Sequence, residues 1–354
     1  MKQDSSLWTG VTVGLDLGDK SCRYCVLGAD GAVLKQGTVP TASTRLEGLF
    51  RRWPTARLVL EVGTHSAWIQ RLAARVGQTV VLANPRKVRA IAASQQKSDA
   101  RDAELLARLG RVDPRLLCPV QPRSEQVQAD LAVVRARDVA VRSRTQLVNA
   151  VRGLAKAQGV RLPRGAAASL HRRAPALLPA ALQPALQPLL LAVGELTRQI
   201  QQLEATIGRI AAARYPETGV ISQVVGVGEL TALAFVLTVG DPQRFPKSRQ
   251  VGAYLGLTPR RDQSGGRDPD LSITKAGDEL VRRLLVQSAH YILGPFGPDT
   301  DLRRWGLGLA ARGGKNAKRR AIVAVARRLA VLLHRLWVTG ARYEPLRLAE
   351  RAAA

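Results

Sequence analysis

The chain has 354 residues, with 54 Lys and Arg against 27 Asp and Glu, and a formal net charge of +27. No apolar run reaches the length of a membrane span, and three cysteines are too few for a disulfide framework, which excludes a membrane-spanning protein and a disulfide-stabilised domain. The excess of positive charge predicts a polyanionic partner, with nucleic acid as the first candidate and an acidic membrane surface as the second.

Residues 1–120 are predicted to form an α/β domain. After the first strand, VTVGLDLG, the segment SCRYCVLG-ADG-AVLKQGTV has the pattern of a β-hairpin, and amphipathic helices then alternate with apolar strands. The predicted order is strand, strand, strand, helix, strand, helix, strand, helix, which resembles the ribonuclease H-like fold of RuvC-type nucleases. Cys22 and Cys25 fall in the second predicted strand; they fit small strand residues, or half of a zinc site that has no second CxxC in the sequence.

From residue 121 the strand pattern stops and helical patterns take over. Residues 121–215 are predicted to be a helical connector, and residues 216–354 a mainly helical C-terminal domain. One helix of the connector carries a seam of apolar residues at spacings of three and four: Leu196, Ile200, Leu203, Ile207 and Ile210. The seam suits a coiled coil between subunits or a helix hairpin within one chain.

Two segments of the C-terminal domain are candidates for phosphate contact. Gly226 and Gly228 form a GVG turn between apolar helical stretches, as in a helix-hairpin-helix, although a simple turn between helices has the same pattern. The second segment, KNAKRR, is either a phosphate-contacting surface or the solvated end of a helix. Its basic residues are Lys315, Lys318, Arg319 and Arg320.

Four carboxylates fall where an α/β fold of this order would bring them together. Asp16 lies within the first strand, Glu61 ends the fourth strand, and Asp99 and Asp102 share one face of the helix after the fifth strand. Asp19 competes with Asp16 but faces the turn. Taken singly, Asp99 fits a helix N-terminus and Asp16 a strand end. Together they would repel one another unless divalent cations neutralised them, and hard oxygen ligands favour Mg²⁺, with Mn²⁺ as a second choice.

Five segments are similar to the transposases of the insertion sequence 110 family, which are relatives of the Piv DNA invertase and are also called bridge recombinases. The segments are DLG, LEVGTHS, NPRKVRAIAASQQKSDARDAELLA, YLGLTPRRDQSGG and ITKAGDELVRRLL. The resemblance covers nearly the whole chain and implies a RuvC-like domain, a helical connector and a C-terminal transposase domain. It also implies a DEDD recombinase whose acids map onto Asp16, Glu61, Asp99 and Asp102, with Ser264 as a nucleophile.

The resemblance further implies partners and an assembly. Donor and target double-stranded DNA and a structured guide RNA are the expected partners, and a dimer or tetramer would let the acids of one subunit work with the serine of another. The chain departs from the family at Ser98, where Thr is common, and at the acidic residues Asp268 and Asp270.

The serine also has an interpretation from its own neighbourhood. QSGG is a turn-prone loop, and a serine hydroxyl becomes a good nucleophile only when a base or a metal activates it. Ser272 is the competing serine. Basic residues close in sequence could hold a phosphate: Arg260, Arg261, Arg267 and Lys275. Further nucleic-acid contacts are expected from the segment before the helix that carries Asp99: Arg86, Lys87, Arg89 and Lys97.

Three functions compete at this point. The leading hypothesis is an RNA-guided, Mg²⁺-dependent site-specific DNA recombinase or transposase with a phosphoserine intermediate, in the cytoplasm of a bacterium because the N-terminus lacks a signal-peptide pattern. A Holliday-junction type of nuclease would use the same acids with water as the nucleophile. A degenerate relative would bind nucleic acid without catalysis.

Overall fold

The computed structural model describes residues 8–91, 99–264, 266 and 271–347. The chain divides into two compact units, residues 1–124 and 125–354. The first unit is α/β and the second is helical, as the sequence pattern predicts. None of the helices in the described part of the chain is long and apolar enough to cross a membrane.

The first unit alternates strands and helices in the predicted order. Its elements are β1 Thr12–Asp16, β2 Ser21–Leu27, β3 Val33–Pro40, α1 Ser43–Phe50, β4 Arg57–Glu61, α2 Ser66–Arg75, β5 Thr79–Ala83, α3 Pro85–Ile91 and α4 Asp99–Val112. The five strands form one sheet in the order β3-β2-β1-β4-β5. β1, β2 and β3 pair antiparallel, whereas β4 runs parallel to β1 and β5 parallel to β4.

The sheet is covered on both faces, which explains why the middle residues of its central strands, VGL in β1 and LVL in β4, do not alternate between apolar and polar. Val13 and Leu15 of β1 pack in a core with side chains of α1 and α2. Gly14, between them in sequence, faces α4 instead, since a Cβ there would meet backbone atoms of that helix. β4 repeats this alternation, with Leu58 in the first core and Val59 in the second. The result is a sandwich of three layers.

The second unit is built from helices joined by turns. Its elements are α5 Glu125–Ala157, α6 Leu170–Arg173, α7 Gln183–Arg214, α8 Glu217–Ile221, α9 Glu229–Val239, α10 Arg249–Tyr254, α11 Glu279–Leu293, α12 Asp301–Ala311 and α13 Ala317–Thr339. Nine consecutive residues of α9, Thr231–Val239, are buried, which makes this helix the centre of the core.

The long helices α5 and α7 pack against each other as an internal hairpin. Ile207 and Ile210 of the predicted seam lie in one core with Leu131 and Val134 of α5. Asp130, 2% exposed, ties this end of the hairpin: it accepts hydrogen bonds from Arg214 Nε (3.1 Å), the Tyr215 hydroxyl (2.8 Å) and Gln126 Nε2 (3.0 Å). The apolar seam is therefore used within the chain, and its use between subunits stays a prediction.

Candidate active site

Two of the predicted acids end adjacent parallel strands. Asp16 is the last residue of β1 and Glu61 the last of β4, and the residues before them, Leu15 and Leu60, are paired in register. Because side chains alternate along a strand, Asp16 falls on the same face as Gly14, and Glu61 on the same face as Val59. Both acids therefore lie at the carboxyl edge of the sheet, on the face covered by α4.

The contacts of α4 show in which direction it crosses the sheet. A Cβ on Gly14 would lie 2.0 Å from the carbonyl oxygen of Ala103, so the helix backbone touches β1 at this level. Seven residues further along α4, the carbonyl of Gly110 accepts a hydrogen bond of 2.8 Å from Arg57, the first residue of β4. The helix therefore runs antiparallel to β1 and β4, from the carboxyl edge of the sheet towards the amino edge.

This direction brings the two helix acids to the edge where the strand acids end. The sheet-facing stripe of α4 contains Ala103 and Leu106, and Asp99 and Asp102 lie one turn before them on the same stripe. Asp99 is four residues before Ala103, about 6 Å along the helix axis. Asp16 is two residues beyond Gly14, about 6.6 Å along the strand. Because Ala103 and Gly14 touch, the helix acids and the strand acids extend to similar depths at one edge.

The acids are not gathered into a closed cluster. Asp99 is exposed, while Asp16, Glu61 and Asp102 are half-buried. Within residues 8–91, 99–264, 266 and 271–347, no group of three or more His, Cys, Asp or Glu side chains is arranged to hold a metal ion. Four carboxylates on one face are nevertheless the donor set that Mg²⁺ and Mn²⁺ favour. Cys22 and Cys25 are buried in β2 and fit small strand residues.

A histidine that the sequence analysis did not single out lies beside this edge. His65, in the loop after β4, places Nε2 3.3 Å from Asp19 Oδ1, in the turn after β1. Trp68 Nε1 donates a hydrogen bond of 3.1 Å to His65 Nδ1. Because Nδ1 accepts, the ring proton of a neutral His65 resides on Nε2 and is donated to Asp19. Asp19 is thus engaged by His65 and, with a side chain 94% exposed, differs from the half-buried Asp16.

Basic residues follow the carboxyl end of β5 at the same edge of the sheet. Arg86 and Lys87 are exposed in the first turn of α3, whose start is fixed by a hydrogen bond of 3.1 Å from the Arg86 amide to Asn84 Oδ1. Arg89 lies further along α3. Lys97 and Ser98 fall outside the described residues.

The predicted nucleophile lies on a loop of the second unit whose stem is well defined. Pro259 and Ile273 form an antiparallel bridge, and the Arg260 amide donates to the carbonyl of Ser272 at 3.0 Å. Ser264 is exposed and lies in sequence between the two bridged residues. The four predicted phosphate-holding residues divide as follows: Arg260, Arg261 and Lys275 are exposed, and Arg267, like Asp268 and Asp270, is outside the described residues.

Two interlocked turns hold the base of this loop. Gly256 and Gly277 both have positive φ, and a Cβ on either would lie within 2.2 Å of backbone in the opposing turn, at Ala276 and Tyr254 respectively. Arg282 donates to the carbonyls of Leu255 (3.1 Å) and Ala276 (2.8 Å). Only glycine fits such a conformation at such a distance, so these positions fix where the serine loop leaves the core.

The other predicted nucleic-acid residues are accessible in the second unit. Gly226, with φ of +84°, and Gly228 form the turn before α9, and a cavity of about 570 Å³ opens beside them. At the start of α13 the basic run is solvent-exposed, and no carboxylate in the described part of the chain pairs with it. Its members are Lys315, Lys318, Arg319 and Arg320.

Comparisons with known proteins identify relatives of the chain. Residues 13–157 match a family model for transposases of the IS110 DEDD type, and residues 219–300 match the transposase model of the IS116/IS110/IS902 family. A probable family 20 transposase of Pseudomonas aeruginosa is 31% identical over 348 residues, covering 94% of this chain and 98% of the relative. The chain belongs to the IS110 family of transposases.

Other relatives of this IS110-family transposase carry the names of insertion sequences. The transposase for insertion sequence element IS1111A of Coxiella burnetii is 32% identical over 281 residues, covering 77% of this chain and 74% of the relative. The transposase for IS1328 of Yersinia enterocolitica is 29% identical over 281 residues, covering 78% and 82%. All four candidate acids lie within the first matched segment and Ser264 within the second.

Proposed function

We propose that this transposase cuts and rejoins DNA through a Mg²⁺-dependent site formed by Asp16, Glu61, Asp99 and Asp102, with Ser264 as the nucleophile. The observation that carries the proposal is the antiparallel course of α4, because it brings two acids of a helix to the sheet edge where two strand acids end. The sheet order, three antiparallel strands followed by two parallel ones, supports a RuvC-like, ribonuclease H-like domain.

The four carboxylates would hold one or two divalent ions, which when bound would polarise the scissile phosphate and neutralise charge on the attacking and leaving oxygens. The rigid parts of this site are the backbone positions at the ends of β1 and β4 and the first turn of α4.

The serine step exchanges one phosphodiester for another. The Ser264 oxygen attacks phosphorus, an Oγ–P bond forms, the bond from phosphorus to one deoxyribose oxygen breaks, and that oxygen leaves as a hydroxyl after taking a proton. The serine proton passes to a base in the assembled site. A hydroxyl from another strand then reverses the step, displaces serine and joins the strands. Because phosphodiester bonds are conserved, no external energy source is required.

Guide RNA and self-association are parts of the same proposal. The formal charge of +27 and the exposed basic groups of α13 support binding of long polyanions, and the resemblance to bridge recombinases supports a structured RNA as one of them. Since the acids and the serine lie in different units of the chain, a dimer or tetramer could join the acids of one subunit to the serine of another.

The decisive experiment is to trap the covalent intermediate. Transposase incubated with Mg²⁺ and DNA carrying the element ends, together with any copurifying RNA, should give a protein–DNA adduct that survives denaturation. Ser264→Ala should remove both adduct and product while leaving DNA binding in place, because an exposed hydroxyl contributes little to folding.

Ser272→Ala is the matched control on the same stem. Ser272 is exposed and its hydroxyl lies 3.3 Å from the Arg260 guanidinium, so its loss should leave the adduct intact. An adduct that persists in Ser264→Ala and vanishes in Ser272→Ala would move the assignment to the other serine. Free cut ends without any adduct would instead favour hydrolysis by water.

A further inference from the structure

A cavity of about 780 Å³ lies in the second unit between α12, α13 and residues 341–347. One wall is a single face of α13, on which Arg328, Leu332 and Arg335 recur at spacings of three and four. α12 contributes Leu302 and Trp305, and the third wall is the chain after α13. That chain is held in place because the amide of Asp301 donates a hydrogen bond of 2.8 Å to the carbonyl of Pro345.

The cavity combines an apolar floor with an accessible aromatic ring. Leu302 and Leu336 are nearly buried, at 8% and 5% exposure, whereas Trp305 is 37% exposed. The guanidinium of Arg328 lies 4.3 Å from the centroid of the Trp305 ring. This cation–π contact holds the indole in one orientation beside the cavity and brings a positive charge next to it.

The walls of the cavity carry more positive than negative charge. In the part of the chain that the structure describes, no carboxylate lies within ion-pair distance of Arg328, Arg335 or Arg342. The acids in the walls are Asp301 and Glu344, and Glu344 already faces Arg347 at 3.8 Å. A site with unpaired guanidinium groups around an aromatic ring suits a ligand that is both anionic and planar.

We propose that this cavity binds one nucleotide of a single-stranded nucleic acid, with its base against Trp305 and its phosphates against Arg335 and Arg342. The volume falls in the usual range for a small-ligand pocket and is ample for a nucleotide. Bases stack on aromatic side chains whatever their sequence, and guanidinium groups pair with phosphate oxygens in a fork geometry. The proposal goes beyond strand transfer, because it needs neither Ser264 nor the four acids.

Binding of short labelled oligonucleotides by the full-length protein tests the proposal. Wild-type transposase should bind an eight-nucleotide deoxy- or ribo-oligomer more tightly than the same oligomer made wholly of abasic nucleotides. Trp305→Leu should weaken binding of the normal oligomer by about 10-fold, the scale of one stacked base. Comparison of the deoxy and ribo probes shows which nucleic acid the cavity prefers.

Three controls separate stacking from charge and from folding. Trp305→Phe keeps an aromatic ring and should restore most of the affinity that Trp305→Leu loses. Arg335→Ala should weaken binding and lower the salt dependence by about one counterion, whereas Arg172→Ala removes an exposed arginine outside the cavity and should change affinity less than 2-fold. Equal binding of normal and abasic oligomers, or Trp305→Leu with wild-type affinity, would overturn the proposal.

Discussion

Replacing Gly14 with alanine tests whether the packing of α4 on β1 holds the acidic edge together. A Cβ at this position would lie 2.0 Å from the carbonyl oxygen of Ala103 and 2.6 Å from the amide nitrogen of Ala107. Both are backbone atoms, so rotation of a side chain cannot relieve the clash. To restore an ordinary contact of 3.4 Å, α4 has to move away from the sheet by about 1.4 Å.

The size of the effect follows from that movement. Inserting a methyl group into a well-packed core costs about 1–3 kcal/mol of unfolding free energy. Asp99 and Asp102 travel with α4, whereas Asp16 and Glu61 stay with the sheet, so the two pairs of acids separate. Because a misplacement of about 1 Å costs about 100-fold in rate, we expect transposition by Gly14→Ala to fall by about that factor.

The assay is transposition frequency in cells, normalised to the amount of folded protein, together with the thermal midpoint of the purified variant. Gly48→Ala in α1 is a matched control, since nothing lies within 4 Å of a Cβ at that position and alanine favours a helix. Gly48→Ala should therefore transpose normally and melt no lower than the wild type.

A second variant overpacks the opposite end of the same helix. A Cβ at Gly110 would lie 2.3 Å from Cγ2 of Val59, and Gly110 is eleven residues along α4 from Asp99. Gly110→Ala should be destabilised to a similar degree but lose less activity. If Gly14→Ala is destabilised as expected and still transposes at the wild-type frequency, the spacing between α4 and the strand ends does not control the site.

Two further predictions concern the second unit. Asp130→Ala should lower its unfolding free energy by about 2 kcal/mol, because Arg214, which is 41% exposed, can partly rehydrate while Tyr215 loses its partner. Burial alone would raise the pKa of Asp130, but the hydrogen bonds to its carboxylate outweigh burial and lower the pKa. The stability that this carboxylate contributes is therefore present above its unfolded pKa and is lost as pH falls below about 4. Calorimetry at decreasing pH should not find this loss in Asp130→Asn. The other prediction concerns the start of α13, where Lys318, Arg319 and Arg320 are replaced with alanine. The slope of log DNA affinity against log salt concentration should fall by about 0.9 per residue for every DNA sequence, and the melting temperature should change little. A loss of affinity that depends on the DNA sequence would indicate contact with bases instead.

The order and type of elements in the first unit follow from local patterns. β1 and β4 are short apolar runs ending in a carboxylate, and α4 begins at Asp99 with apolar residues at helical spacing. Such patterns encode burial and period, which are properties of a strand or a helix by itself. These patterns were sufficient to predict which acids lie at the ends of strands and in the first turn of a helix, and therefore which acids to test.

Local sequence patterns do not indicate which of these elements pack against each other. Gly14 is one residue in an apolar strand, and nothing near it in sequence indicates that α4, about ninety residues later, touches it through backbone atoms. The cavity at Trp305 could not be predicted either, because its walls come from α12, α13 and the chain after α13. The apolar seam of α7 correctly predicted a helix–helix contact. It could not distinguish packing against α5 from packing against a second subunit, because the spacing of apolar residues is the same in both cases.

Four carboxylates at one edge of a sheet repel one another electrostatically. Two carboxylates 4 Å apart repel by about 4 kcal/mol at the effective dielectric constant of a protein surface, and a cluster of four would accumulate several such terms. A divalent cation held between the acids of the proposed site would offset this repulsion. In the proposed site, the distance between the strand ends and the first turn of α4 decides whether the four acids can reach the same ion. The contact between Gly14 and Ala103 sets this distance. A substitution that alters the contact should accordingly weaken Mn²⁺ binding, measured by calorimetry or electron paramagnetic resonance, in parallel with transposition.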